Sequence, residues 1–140
     1  MKKHLYLLVV FAILLSFSGT EAFAEVTVIA NKSISETSLS NSEIKNISLG
    51  NIVKWDDNTP VHFVTLEGDI HRDFLKTYIK RSTSQYKNHW RKMIFTGKGV
   101  KPRCFKTEAE LIRYVSQTDG AIGYIARGTG AKNVKILEVY

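Results

Sequence analysis

The chain has 140 residues, a net charge of +7 and a single cysteine. That length supports one domain with one core, and one cysteine excludes an internal disulfide. The basic balance turns attention to anionic partners, but no nucleic-acid-binding motif accompanies it, so nucleic acid is not an expected partner.

Lys2 and Lys3 precede an apolar run from Leu5 to Phe17, and Ala22-Phe23-Ala24 places small residues where a signal peptidase reads them. Residues 1–24 therefore read as a signal peptide, leaving residues 25–140 as one exported domain. The run is short for a membrane span and no stop-transfer pattern follows, so no membrane insertion is expected after cleavage. Cys104 lies far from the cleavage point, so the mature chain reads as a soluble periplasmic protein and not a lipoprotein. Cleavage removes Lys2, Lys3 and Glu21 and takes the net charge from +7 to +6.

Val26–Ala30 is a nearly continuous apolar run that suits a buried strand. The serine-rich stretch from Ser33 to Ser42 reads as a loop leading into a helix. Ser40 with Glu43 has capping-box spacing, Ile44, Ile47 and Leu49 supply the apolar stripe behind it, and Gly50 closes it. Asp56-Asp57-Asn58-Thr59-Pro60 is a turn cluster feeding a strand in which Val61, Phe63 and Thr65 alternate with His62, Val64 and Leu66. Gly68-Asp69 breaks that run, and Ile70, Phe74, Tyr78 and Ile79 then recur at helical spacing.

Ser82 with Gln85 is a second capping-box spacing, opening a helix that carries Tyr86, Trp90, Met93 and Ile94 on one face; Trp90 reads as core. Gly97–Pro102 is a loop that lacks the Lys-Ser/Thr ending of a P-loop. Thr107 with Glu110 is a third box before the stripe Leu111, Ile112 and Val115. Asp119-Gly120 ends that helix, and Ala121–Ile125 and Val134–Val139 are strands. Helices set between strands argue for an α/β fold, a mixed sheet flanked by helices.

Ten lysines and arginines and no acidic residue lie between Asp73 and Glu108. This segment is either a set of solvated helix faces or a surface that attracts anions. Cys104 reads as a packed small hydrophobe. The histidines lack metal-ligand spacing, Asp56-Asp57 is a turn, and Cys104 has no nucleophile partners nearby. No cofactor, metal or catalytic residue is expected, and the chain does not read as an enzyme.

The runs VTVIANKSI, LSNSEIKNISLGNIVKWDDNTPV, HRDFLKTYIKRSTSQYKNHW, FTGKGVKP and DGAIGYI, in that order, resemble the phosphate-binding proteins of ABC importers over about residues 26 to 138. The resemblance implies a single periplasmic-binding-protein-like lobe, corresponding to the second of the two lobes that close on ligand in that family. It implies phosphate or another small oxyanion as ligand and an ABC permease as partner; the alternative is a non-enzymatic interaction domain that has lost ligand binding and docks a protein partner or a second copy of the chain. In the family a helix mouth reading Ser-Gly-Thr-Arg holds the phosphate. The matching positions are Gly68, Asp69, Ile70 and His71, with Arg72 one residue on. A helix starting just after a strand offers unpaired N–H groups and a positive dipole end to an anion. Both hydroxyl donors are replaced, and Asp69 is expected to act as an N-cap on the N–H of His71 or Arg72. Arg72 either supplies a donor to an anion or faces solvent paired with Asp69 or Asp73.

Overall fold

In a computed structural model that describes residues 25–140, Val26–Ala30 forms β1 near the middle of a six-stranded sheet. The signal-peptide reading of residues 1–24 lies outside the described residues. β1 runs antiparallel to β5 (Ala121–Ala126) on one side and to β6 (Lys135–Val139) on the other. β5 pairs in parallel with β3 (His62–Leu66), which pairs in parallel with β4 (Arg103–Phe105). β2 (Ser38–Leu39) pairs in parallel with β6, giving the order β2-β6-β1-β5-β3-β4. The architecture is the expected α/β mixed sheet. The two-residue β2 lies inside the stretch read as a loop, because so short a strand carries no alternation to read.

The helices begin where their caps direct. Ser40 Oγ accepts the Glu43 N–H at 3.1 Å and a Glu43 carboxylate oxygen accepts the Ser40 N–H at 2.7 Å, opening α1 (Asn41–Ser48). The Gly50 N–H donates to Ile47 O at 3.1 Å and the Asn51 N–H to Asn46 O at 2.8 Å, which closes α1 in a Schellman motif. Gly50 has φ +77°, and a Cβ there would lie 2.7 Å from the Trp90 ring, so this glycine answers both to conformation and to space. Asp69–Phe74 forms α2 and passes directly into a π-helical turn, Leu75–Ile79, which ends at Lys80 with φ 58°. Ser82 and Gln85 form the second full capping box, at the start of α3 (Thr83–Phe95).

The third box forms only by half. Thr107 Oγ1 accepts the Glu110 N–H at the start of α4 (Glu108–Gln117). The reaching carboxylate is that of Glu108, which accepts the Ala126 N–H at 2.6 Å and the Thr129 hydroxyl at 2.8 Å and so ties α4 to the end of β5.

Alternation along the strands sends side chains to two helical layers. On one face Gly123 lets α4 approach, since a Cβ there would touch Val64 and Leu111 at 3.0 and 3.1 Å. On the other, Phe63 and Tyr124 meet Phe74 of α2, whose ring stacks on Tyr124 with centroids 4.0 Å apart. Tyr124, Phe74, Leu75, Ile79, Ile122 and Leu111 are fully buried. Each buried aliphatic or phenylalanine side chain contributes roughly 1.5–3 kcal/mol, so the core is built on both faces of the sheet.

Two inward expectations fail. Ile94 is 50% exposed, because it lies in the last turn of α3, beyond the buried Tyr86 and Trp90 of the same face. Cys104 is exposed, because β4 is an edge strand with one neighbour. Trp90 is buried as expected.

A turn ahead of β3 fixes that strand's position. The Asp57 carboxylate accepts the Thr59 N–H at 2.9 Å, a bond that holds its pKa below the ordinary value. The Trp55 indole N–H donates to Gly120 O at 2.9 Å and the His62 N–H donates to the same oxygen at 3.1 Å. Gly120 has φ +76°, and a Cβ there would lie 2.1 Å from Pro60 O.

Candidate functional site

β3 delivers the chain to Gly68, whose φ +88°, ψ −155° is open to glycine alone at no cost. A Cβ there would meet nothing within 4 Å, so the backbone angle and not crowding selects glycine. Gly68, and not Asp69, is the N-cap: its carbonyl accepts the His71 N–H at 3.2 Å and the Arg72 N–H at 3.4 Å. Asp69 is already helical, and a capping side chain must start from extended backbone to reach the next N–H groups. The expected Asp69 cap is therefore not formed.

The Asp69 carboxylate instead turns to solvent, 88% exposed, and pairs with Arg72 Nη1 at 3.3 Å. Arg72 Nε lies 3.6 Å from Asp73 Oδ1, an oxygen that is fully buried and accepts no hydrogen bond. One guanidinium is thus shared by an exposed and a buried carboxylate. The solvated pairing expected of Arg72 with Asp69 or Asp73 is found with both.

His71 leaves the mouth and points inward. Its Nδ1 lies 2.6 Å from the Tyr124 hydroxyl, which also accepts the Leu66 N–H at 3.1 Å. Burial pushes the Tyr124 hydroxyl far above its ordinary pKa, and burial pushes His71 below its own. The tyrosine keeps its proton, and Nδ1 is the hydrogen-bond partner within reach of its O–H; with that O–H donating its hydrogen bond to Nδ1, a neutral His71 carries its N–H on Nε2. The imidazole sits edge-on to Tyr86 at 5.4 Å. Tyr86 in turn donates to Ser48 O at 3.0 Å, joining this cluster to α1.

The five positions thus stay together in sequence but not in function. Gly68, Asp69, Ile70 and Arg72 remain at the surface turn, while the His71 ring joins the aromatic layer. Tyr124 and Tyr86, which fix that ring, carry no signal for this role beyond their places in an apolar strand and a helical stripe. Among the described residues no group of three or more His, Cys, Asp or Glu side chains is placed to hold a metal. None of the described helices is long and apolar enough to cross a membrane.

A family model described as a PBP superfamily domain matches residues 22–138. The chain belongs to that superfamily. Its fold matches a protein described as a phosphate ABC transporter substrate-binding protein from Clostridium perfringens, solved with bound phosphate, with a TM-score of 0.62 and 19% identity. PstS from Borrelia burgdorferi gives the same two values, and an ABC-type phosphate transport receptor from Vibrio cholerae gives 0.56 and 17%. Each match covers 81% of this chain but only 44%, 46% and 45% of the respective relative. The chain therefore spans less than half the length of these solved structures and resembles one lobe of a PBP superfamily protein. No curated protein matches it.

Within this PBP lobe the end of β3 and the start of α2 form a strand-to-helix mouth. The one cation there is already paired, and the residue projecting from the first helical turn is an anion.

Proposed function

We propose that the chain is an exported, non-enzymatic solute-binding lobe that holds phosphate or another small oxyanion weakly at Gly68, Asp69, Ile70, His71 and Arg72. The observation that carries this reading is the Arg72 guanidinium beside an open glycine turn at a helix start, on a fold shared with a phosphate-bound relative. Asp69 and Ile70 offer backbone N–H groups there, and His71 contributes backbone only, since its ring is bound to Tyr124. Weak binding follows because an arriving anion must displace Asp69 from Arg72 and then sit beside that carboxylate. The leader-like residues 1–24 support export to the periplasm, and the phosphate-transport relatives support an ABC permease as partner.

Phosphate at millimolar concentration should raise the thermal midpoint saturably, in proportion to RT ln(1 + [L]/Kd), while sulfate serves as the control. Asp69→Ser should enlarge the shift by removing the repelling charge. No shift in either protein would sink the reading.

A second reading, an interaction domain that docks a protein partner or a second copy of itself, is favoured by one feature. Phe95, at the end of α3, and Val100, in the basic loop that follows, are 92% and 88% exposed. A monomer that captures nothing from a periplasmic extract would count against it.

A further inference from the structure

Beside the helix mouth, but not including Gly68, Asp69, Ile70 or Arg72, lies a partly open cavity of about 330 Å³. One wall is a single stripe of α3: Thr83, Tyr86, Lys87, Trp90, Arg91 and Ile94, spaced three and four residues apart so that they share one face. The facing wall is Lys101, Pro102 and the edge-strand residue Cys104, with Thr65 of β3 as floor and His71 at the inner end.

Three features of this cavity point to a ligand. First, it is lined by three cations and no carboxylate. Lys87, Arg91 and Lys101 have no acidic partner within ion-pair distance among the described residues, and Lys87 and Arg91, four apart on one helix, repel each other. Second, its buried lining holds an unused polar group, the Trp90 indole N–H, which has no hydrogen-bond partner. Third, the tether of Nδ1 to Tyr124 leaves the His71 Nε2–H as a further donor on a ring that lines the cavity. Every charged group present is positive, and the apolar lining combines the aromatic Tyr86 and Trp90 with Ile94 and Pro102.

We propose that this cavity binds a small organic anion, with an aromatic or aliphatic body against Tyr86 and Trp90 and a carboxylate or phosphate head on Lys87, Arg91 and Lys101. The volume suits one ring plus a head group, since a cavity of about 150 Å³ accommodates benzene. Inorganic phosphate alone would leave the aromatic wall unused. This site stands apart from the proposed oxyanion mouth, and either can fail without the other.

The test titrates the purified protein with benzoate, phenyl phosphate and inorganic phosphate, following the Trp90 indole N–H by NMR. The Trp55 indole N–H, bound to Gly120 O and outside the cavity, is the internal reference. Benzoate or phenyl phosphate should shift the Trp90 signal saturably, leave Trp55 in place, and slow alkylation of Cys104 by iodoacetamide at least about threefold at saturation. The exposed-site double variant Lys87→Gln/Arg91→Gln should weaken binding about tenfold, the loss of two charge-assisted contacts, while Asp69→Ser leaves it unchanged. The proposal is overturned if neither organic anion moves Trp90, if inorganic phosphate moves it as strongly, or if the double variant binds as tightly.

Discussion

At the mouth of α2 the cation is already paired with carboxylates, whereas in the cavity beside α3 the cations are not. Arg72 is held between Asp69 and Asp73, so the proposed oxyanion mouth carries its own counter-ion. Less than one helix away, Lys87, Arg91 and Lys101 converge on an aromatic cavity without an acid among its lining residues. Cation content by itself does not define an anion site. What matters is whether the cation is already neutralised, because an incoming anion gains only the difference between two pairings.

Both regions hang on β3, so the largest effect should come from loosening that strand. Gly120→Ala places a Cβ 2.1 Å from Pro60 O at φ +76°, against backbone that cannot swing aside as a side chain can. The Trp55 turn and the start of β3 both bond to Gly120 O and must shift with it. A loss of about 4 kcal/mol in urea denaturation is expected. A loss below about 1 kcal/mol would show that the turn is free to move.

Next in size is the link between the two regions. Tyr124→Phe keeps the stack on Phe74 but removes the oxygen that accepts the buried Leu66 N–H and holds His71. An orphaned buried donor costs about 2 kcal/mol. A neutral substitution would mean that Leu66 and His71 find other partners.

The elements were legible in the sequence where their signals are local. Ser40–Glu43 and Ser82–Gln85 are complete within four residues and formed as read, and Gly50 closed its helix. The site was legible in position but not in orientation. Whether Asp69 or Gly68 caps α2 depends on the backbone angle at Gly68, and no side chain encodes that angle. His71 turned inward because Tyr124, 53 residues further on, supplies the partner for its ring. The cavity's α3 wall is visible in the sequence as the stripe through Tyr86 and Trp90, a spacing that by itself describes a core face. Its facing wall depends on β4 pairing beside β3, a contact between residues about forty positions apart that no local pattern announces.

The smallest effect belongs to His71 itself, which belongs to both regions: its backbone is in the mouth and its ring lines the cavity. Burial lowers its pKa from the ordinary 6.5. Below about pH 6.5 the unfolded chain takes up a proton that the folded ring resists, so the unfolded state binds more protons and stability falls with pH. The contribution is fully present above that value and is lost as pH falls toward the lowered pKa of the folded state. Subtracting the pH profile of His71→Gln removes the other histidines, and the remaining difference should slope downward only on the acid side. A flat difference would show that the ring is freely solvated. Benzoate should reduce the slope, because an anion beside the imidazole favours its charged form, while inorganic phosphate at the mouth should leave it unchanged. An equal response to both anions would mean that mouth and cavity form one site.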